Sequence, residues 1–167
     1  MIKSKITKMC LAGIFTALVF VFTAYLHIPS YTGYVHVGDA FIYLAATMLP
    51  TPYSAFVGFC GALLADCLTG FAMWAPCSAF VKISAVMCFS RSDKKIINKR
   101  NVTALIPSFA LCVGGYYLYE AILTGNYISP TAGILGNVTQ STLSSVIFVL
   151  LGITLDKIHI KDRLFLK

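Results

Sequence analysis

Four ionisable residues interrupt the apolar stretches of this sequence: Asp39, Asp66, Lys82 and Glu120. A charge inside a bilayer is costly, so each is a candidate for binding, ion passage or pairing. Glu120 stands out, because no basic residue lies in its own stretch or in the loop that follows. Asn137 and Gln140, three apart, share one helix face, and Tyr116 and Tyr117 lie four and three residues before Glu120 on its face. The single tryptophan, Trp74, sits in Phe71-Ala72-Met73-Trp74-Ala75-Pro76. Aromatic walls with a few hydrogen-bonding groups suit a small, flat, polar ligand. Structural readings stand beside this one. Asp39 directly after Gly38 fits a helix N-cap, Asp66 with Lys82 fits a packing ion pair, Trp74 and the tyrosines fit an interfacial belt, and Asn137 with Gln140 fits helix bridging.

The elements that must position these groups are membrane spans. With 58% apolar and 11% charged residues in 167, the chain is far from soluble composition. Apolar runs near the roughly 20 residues needed to cross the hydrocarbon cover 9–28, 52–70, 74–90, 102–123 and 131–155, with a shorter run at 39–49 closed by Pro50-Thr51-Pro52. Lys3, Lys5 and Lys8 precede the first run, Arg91, Lys94, Lys95, Lys99 and Arg100 separate the fourth from the fifth, and Lys157, Lys161, Arg163 and Lys167 end the chain. Loops 29–38, 71–75 and 125–130 hold no Lys or Arg. The positive-inside rule then predicts an all-α integral membrane protein of six spans with both termini cytoplasmic. The net charge of +7 follows from topology and anionic lipid, with no need for nucleic acid.

This topology gathers the polar groups at one end. At ~1.5 Å per residue, Asp66 and Lys82 share a depth, Glu120 is in the outer quarter of its span, Asn137 and Gln140 are about 9 to 14 Å in from outside, and Asp39 opens the second span at the outer boundary. A cup open to the outside is expected. Residues 1–28 read as a retained first span rather than a signal peptide, since the apolar stretch is long and no small-x-small site follows. Residues 1–167 read as one domain without linker or repeat. The six cysteines at 10, 60, 67, 77, 88 and 112 form no CxxC pair and read as buried packing, with Cys67 and Cys77 flanking an outer loop.

Several chemistries are missing. No G-x-x-x-x-G-K-[ST] loop occurs, so ATP hydrolysis by a P-loop is excluded. His27, His36 and His159 sit at or beyond span ends, which disfavours an intramembrane serine hydrolase, and His36-Val37-Gly38-Asp39 lacks the first glycine of an aspartyl membrane protease motif. No metal-ligand cluster and no cofactor motif is present. Small residues form stripes: Gly13 with Ala17, Ala12 with Thr16, and Gly58, Gly61, Ala62 and Ala65. Such stripes let helices approach closely, within the bundle or against a partner.

The ordered set Gly33-Tyr34-Val35-His36-Val37-Gly38-Asp39-Ala40, Phe41-Ile42-Tyr43-Leu44-Ala45-Ala46, Ala65-Asp66 with Gly70, Trp74-Ala75-Pro76 with Lys82, Tyr119-Glu120-Ala121 and Gly136-Asn137-Val138-Thr139-Gln140 resembles the substrate-binding S components of energy-coupling factor (ECF) transporters, which import vitamins and their precursors across bacterial plasma membranes. The resemblance covers nearly the whole chain. It implies a six-helix bundle with an outward cup formed by the first and third loops and the ends of the fourth to sixth helices. Trp74, Lys82, Tyr116, Glu120, Asn137 and Gln140 would then bind substrate. Tyr34, His36, Asp39 and Asp66 would be loop and structural polar groups, with loop 29–38 as a lid. It also implies a membrane T component and two cytoplasmic ATPases that drive import, with Gly13 and Ala17 standing where the family's first helix meets the T component. The subgroup is similar to those assigned hydroxymethylpyrimidine, pyridoxine or riboflavin-type ligands. The rival expectation is a free-standing carrier or channel coupled to protons or ions through Asp66, Lys82 and Glu120.

Overall fold

A computed structural model describes residues 5–30 and 33–165. Lys3 and Lys167, two of the basic residues on which the expected orientation rests, lie outside the described residues. The elements in order are α1 (Lys5–Ala24), β1 (His27–Pro29), β2 (Tyr34–His36), α2 (Asp39–Met48), α3 (Thr51–Leu68), a 3-10 turn (Ala72–Trp74), α4 (Ala75–Cys88), α5 (Lys99–Thr103), α6 (Leu105–Thr124), α7 (Thr131–Lys157) and α8 (Ile160–Phe165). Four helical stretches, Lys5–Ala24, Thr51–Leu68, Lys99–Thr124 and Thr131–Lys157, are long and apolar enough to cross a membrane, and Asp39–Met48 and Ala72–Cys88 are shorter apolar helices.

The helix ends follow local chemistry. Pro52 and Pro76 occupy first-turn positions of α3 and α4, where a missing N–H costs nothing. Leu49 is extended before Pro50, as the proline ring requires of its predecessor. α6 stops at Gly125, whose φ of 62° is the left-handed conformation that glycine adopts without a Cβ penalty.

The first apolar run was expected to remain helical to Ile28, and the chain to be helical throughout. Instead α1 ends at Ala24, and His27–Pro29 pairs antiparallel with Tyr34–His36, His27 opposite His36 and Pro29 opposite Tyr34. Aromatic and β-branched residues favour the extended form here, and apolarity alone does not distinguish a helix end from a strand.

Helix α2 is the axis of the bundle: every residue from Asp39 to Met48 is buried. A helix without a solvated or lipid-facing side belongs inside a bundle, which accounts for a length of only about half a bilayer. It contacts α1, α3, α4 and α7. α1 lies close on α3 because Gly61 has no side chain, and a Cβ there would come within 2.7 Å of the Val19 Cβ. Beneath the polar end, Tyr43 stacks on Phe89 at 4.8 Å and Phe148 meets both edge-on. Large apolar side chains such as Ile14, Phe80, Ile106, Ile122 and Leu150 point outward, as lipid contact requires.

The opposite end is tied together by polar groups. The Asp156 carboxylate accepts the Ile96 and Ile97 N–H groups at 2.7 and 2.9 Å. Fully buried Asn101 accepts Ser90 N–H at 2.8 Å and donates to the Ser90 and Ile96 carbonyls at 2.9 Å. Lys161 donates to the Asp93 carbonyl at 2.8 Å. The basic 91–100 loop is thereby fixed to α7 and α8. Among the described residues all six cysteines are free, with Cys67 exposed and Cys77 buried.

Candidate functional site

The site is built where the β1–β2 hairpin meets α3 and α7, with the ends of α4 and α6 completing the cavity. The hairpin seats on α7 at Gly136, where a Cβ would lie 2.5 Å from the Ser30 Oγ. Its turn is closed by a Ser30 N–H bond to the Gly33 carbonyl of 2.9 Å. Tyr34 then reaches α3, and its hydroxyl donates to Asp66 Oδ1 at 2.7 Å. The Tyr34 ring meets Phe71 at 4.7 Å and His27 at 4.8 Å. Burial, reinforced by the adjacent Asp66 carboxylate, holds the Tyr34 phenol well above its ordinary pKa, so it remains a donor.

His36 is buried beside this contact, and its Nδ1 accepts the Gly38 N–H at 3.2 Å, with Thr23 Oγ1 at 3.4 Å. Burial is the dominant influence on its imidazole and pushes it down to about 4. The ring is therefore neutral at pH 7, and with Nδ1 accepting, the proton resides on Nε2.

Under the site lies a charge pair that the sequence did not match correctly. Lys82 Nζ bonds Asp39 Oδ2 at 2.8 Å, and both side chains are about fully buried, 3% and 2% exposed. Gln140 Nε2 donates to the same oxygen at 3.2 Å. Lys82 therefore pairs with Asp39 rather than with Asp66. Asp39 is not an N-cap either; Gly38 holds that position, and no side chain caps α2. Rise per residue gives depth but not azimuth, and the inward faces of α2 and α4 bring Asp39 and Lys82 together. The ammonium also lies 5.4 Å from the centroid of the Tyr116 ring.

Above this pair opens a cavity that encloses about 520 Å³ with its mouth included. Of the residues singled out from the sequence, Tyr34, His36, Asp66, Trp74, Tyr116, Glu120, Asn137 and Gln140 line it. Asp39 and Lys82 lie below it, and Tyr117 turns away to bond the Tyr127 carbonyl at 3.0 Å. Trp74 stands 6.0 Å from Tyr116 and 5.9 Å from Tyr119, and the Tyr119 hydroxyl braces the loop through the Met73 carbonyl at 2.7 Å. The Ser78 and Tyr116 hydroxyls bond each other at 2.7 Å.

Ser30, Phe71, Ser78 and Gly133 also line the cavity and were not picked out from the sequence. Two of them carried a signal. Gly133, Gly136, Asn137 and Gln140 fall at i, i+3, i+4 and i+7 on one face of α7, and Trp74, Ser78 and Lys82 are spaced by four from the N-cap of α4 inward. Ser30 and Phe71 owe their places to the hairpin fold and left no such trace.

Gly13 and Ala17 are remote from the cavity and exposed on α1, and a Cβ at Gly13 would meet nothing within 4 Å. Neighbouring Ala12 is buried, so the two small pairs of α1 look in different directions.

Comparison with known proteins agrees with this architecture. The family model for the ECF-type riboflavin transporter S component matches residues 3–157. The chain belongs to that family. Among solved structures, the S component of a bacterial ECF transporter superposes with a TM-score of 0.72 at 16% identity, covering 93% of this chain and 98% of that one. No curated protein matches. This S component is thus a substrate-binding subunit of a bacterial plasma-membrane transporter rather than an enzyme.

Proposed function

We propose that this S component captures a vitamin-sized ring compound in the cavity beneath the β1–β2 hairpin, from the outer side of the membrane, for release inside by a T component and two ATPases. The observation that carries the proposal is convergence: a tryptophan, two tyrosines, two carboxylates and two amides from five elements line one open cavity. Aromatic faces would stack on a planar ring while Glu120, Asn137 and Gln140 bond its edge. Riboflavin, for which the family is named, belongs to this class, as do substituted pyridines and pyrimidines. In this reading the hairpin is the lid.

The topology proposed is six spans with both ends cytoplasmic, the short α2 and the Ala72–Cys88 stretch completing the four long helices. Binding then faces outward and the basic 91–100 loop faces the ATPases. The exposed Gly13 and Ala17 give α1 a smooth face for the T component, and Leu at either position should abolish co-purification with the transporter module while sparing ligand binding. The rival carrier loses its main support, since the buried Asp39 partner withdraws Lys82 from the cavity.

Titration calorimetry on the purified protein tests the binding reading. We expect 1:1 binding without ATP for at least one of riboflavin, pyridoxine and 4-amino-5-hydroxymethyl-2-methylpyrimidine, weakened in Glu120→Ala and Asn137→Ala. Unchanged binding in both variants would show that the ligand lies elsewhere.

A further inference from the structure

Resting on that reading, we propose that the cavity selects an uncharged or cationic ring ligand whose N–H or O–H donors are received by Asp66 and Glu120, and turns away the phosphate esters of the same compounds. Asp66 is only 5% exposed, lines the cavity, and has one oxygen occupied by Tyr34. Its other oxygen, Oδ2, is buried and has no hydrogen-bond partner among the described residues. The Ser78 hydroxyl stands beside Asp66 as well, and in its 2.7 Å bond with Tyr116 either oxygen can donate. A buried acceptor left unmatched is uncommon and calls for a donor. Glu120, also lining the cavity and 9% exposed, has neither an ion pair nor a side-chain hydrogen bond among the described residues.

The same cavity offers an anion little. No Lys or Arg is among the described residues that line it, and the nearby ammonium of Lys82 is committed to Asp39 at 2.8 Å. The first turns of α4 and α7 reach the rim through Trp74 and Gly133 and favour anions. Each helix end, however, carries only roughly half a charge against two carboxyl groups. In either protonation state, neither carboxyl supplies the fixed positive charge that a phosphate dianion needs. The neutral His36, held at Nδ1 by Gly38, adds a donor and no charge.

Calorimetric titration with matched pairs tests this: riboflavin and its 5′-phosphate, pyridoxine and its 5′-phosphate, and the aminopyrimidine alcohol and its monophosphate. In whichever pair binds, the parent alcohol should bind at least about 100-fold more tightly than its ester. Asp66→Asn, which keeps an oxygen for Tyr34, should weaken the parent about 10- to 100-fold, the usual weight of a bond to a charged group. Glu120→Lys should raise ester affinity at least about 10-fold, a gain that a misfolded protein cannot show. Esters that bind wild type within about 3-fold of their parents, or a Glu120→Lys variant with no gain, would overturn the charge selection while leaving the proposed function standing. Failure of every pair to bind would overturn both.

Discussion

Replacing Lys82 with Met removes one half of a charge pair that is almost wholly enclosed by α2, α4 and α7. The Asp39 carboxylate would keep one hydrogen bond, from Gln140 at 3.2 Å, and its Oδ1 is already buried without a partner among the described residues. Removing one partner of a buried pair costs about 3–5 kcal/mol. At about 2–4 °C per kcal/mol for a chain of this size, Lys82→Met should lower Tm by about 6–20 °C. Asp39→Asn, which strands the ammonium, should fall in the same range. The double variant Asp39→Asn, Lys82→Met removes both charges and keeps an oxygen for Gln140, so it should recover most of the loss. Thermal unfolding in detergent for the four proteins closes a double-mutant cycle, with an expected coupling of at least about 2 kcal/mol. Additive losses would refute the assignment of Asp39 as the partner of Lys82, and a single Lys82→Met change without effect would refute the enclosure of the pair.

Other consequences follow from the packing and from the titrating groups. His36 is held near 4 when folded against an ordinary value of 6.5, so the unfolded chain binds a proton first. Stability should therefore fall as pH drops from about 7 to 4, by about 3 kcal/mol in total, and a pH series of Tm should flatten in this window for His36→Gln. Gly61→Val drives a side chain into Val19 and should cost about 1–3 kcal/mol, seen as a lower Tm. Gly136→Leu should displace the hairpin from α7 through Ser30 and weaken ligand binding at least about 10-fold by calorimetry, with a Tm close to wild type.

What the sequence made visible was periodicity and charge. Asn137 and Gln140 were placed on one face of one helix by their spacing, and the same spacing extends to Gly133 and Gly136. Trp74, Tyr116 and Glu120 were drawn to the same end of the bundle by alternating span direction, and all three line the cavity. The partner of Lys82 was hidden because depth along a helix says nothing of its rotation, and Asp39 is 43 residues away in sequence. The hairpin was hidden for another reason: His27-Ile28 continues the apolar character of α1, and only tertiary pairing with Val35-His36 makes it a strand. Asp156 also left little trace, since it sits just past the last apolar run and beside Lys157, yet its carboxylate fastens the 96–97 backbone to α7.

The central claim is that the cavity beneath the hairpin holds a small ring compound, and native mass spectrometry of the mildly solubilised protein tests it most directly. The account predicts wild-type protein carrying a single small-molecule adduct, or taking up one equivalent of riboflavin, pyridoxine or the aminopyrimidine alcohol, with occupancy lost in Asn137→Ala. An adduct retained at equal occupancy in that variant, or no uptake of any of the three by wild type, would contradict it.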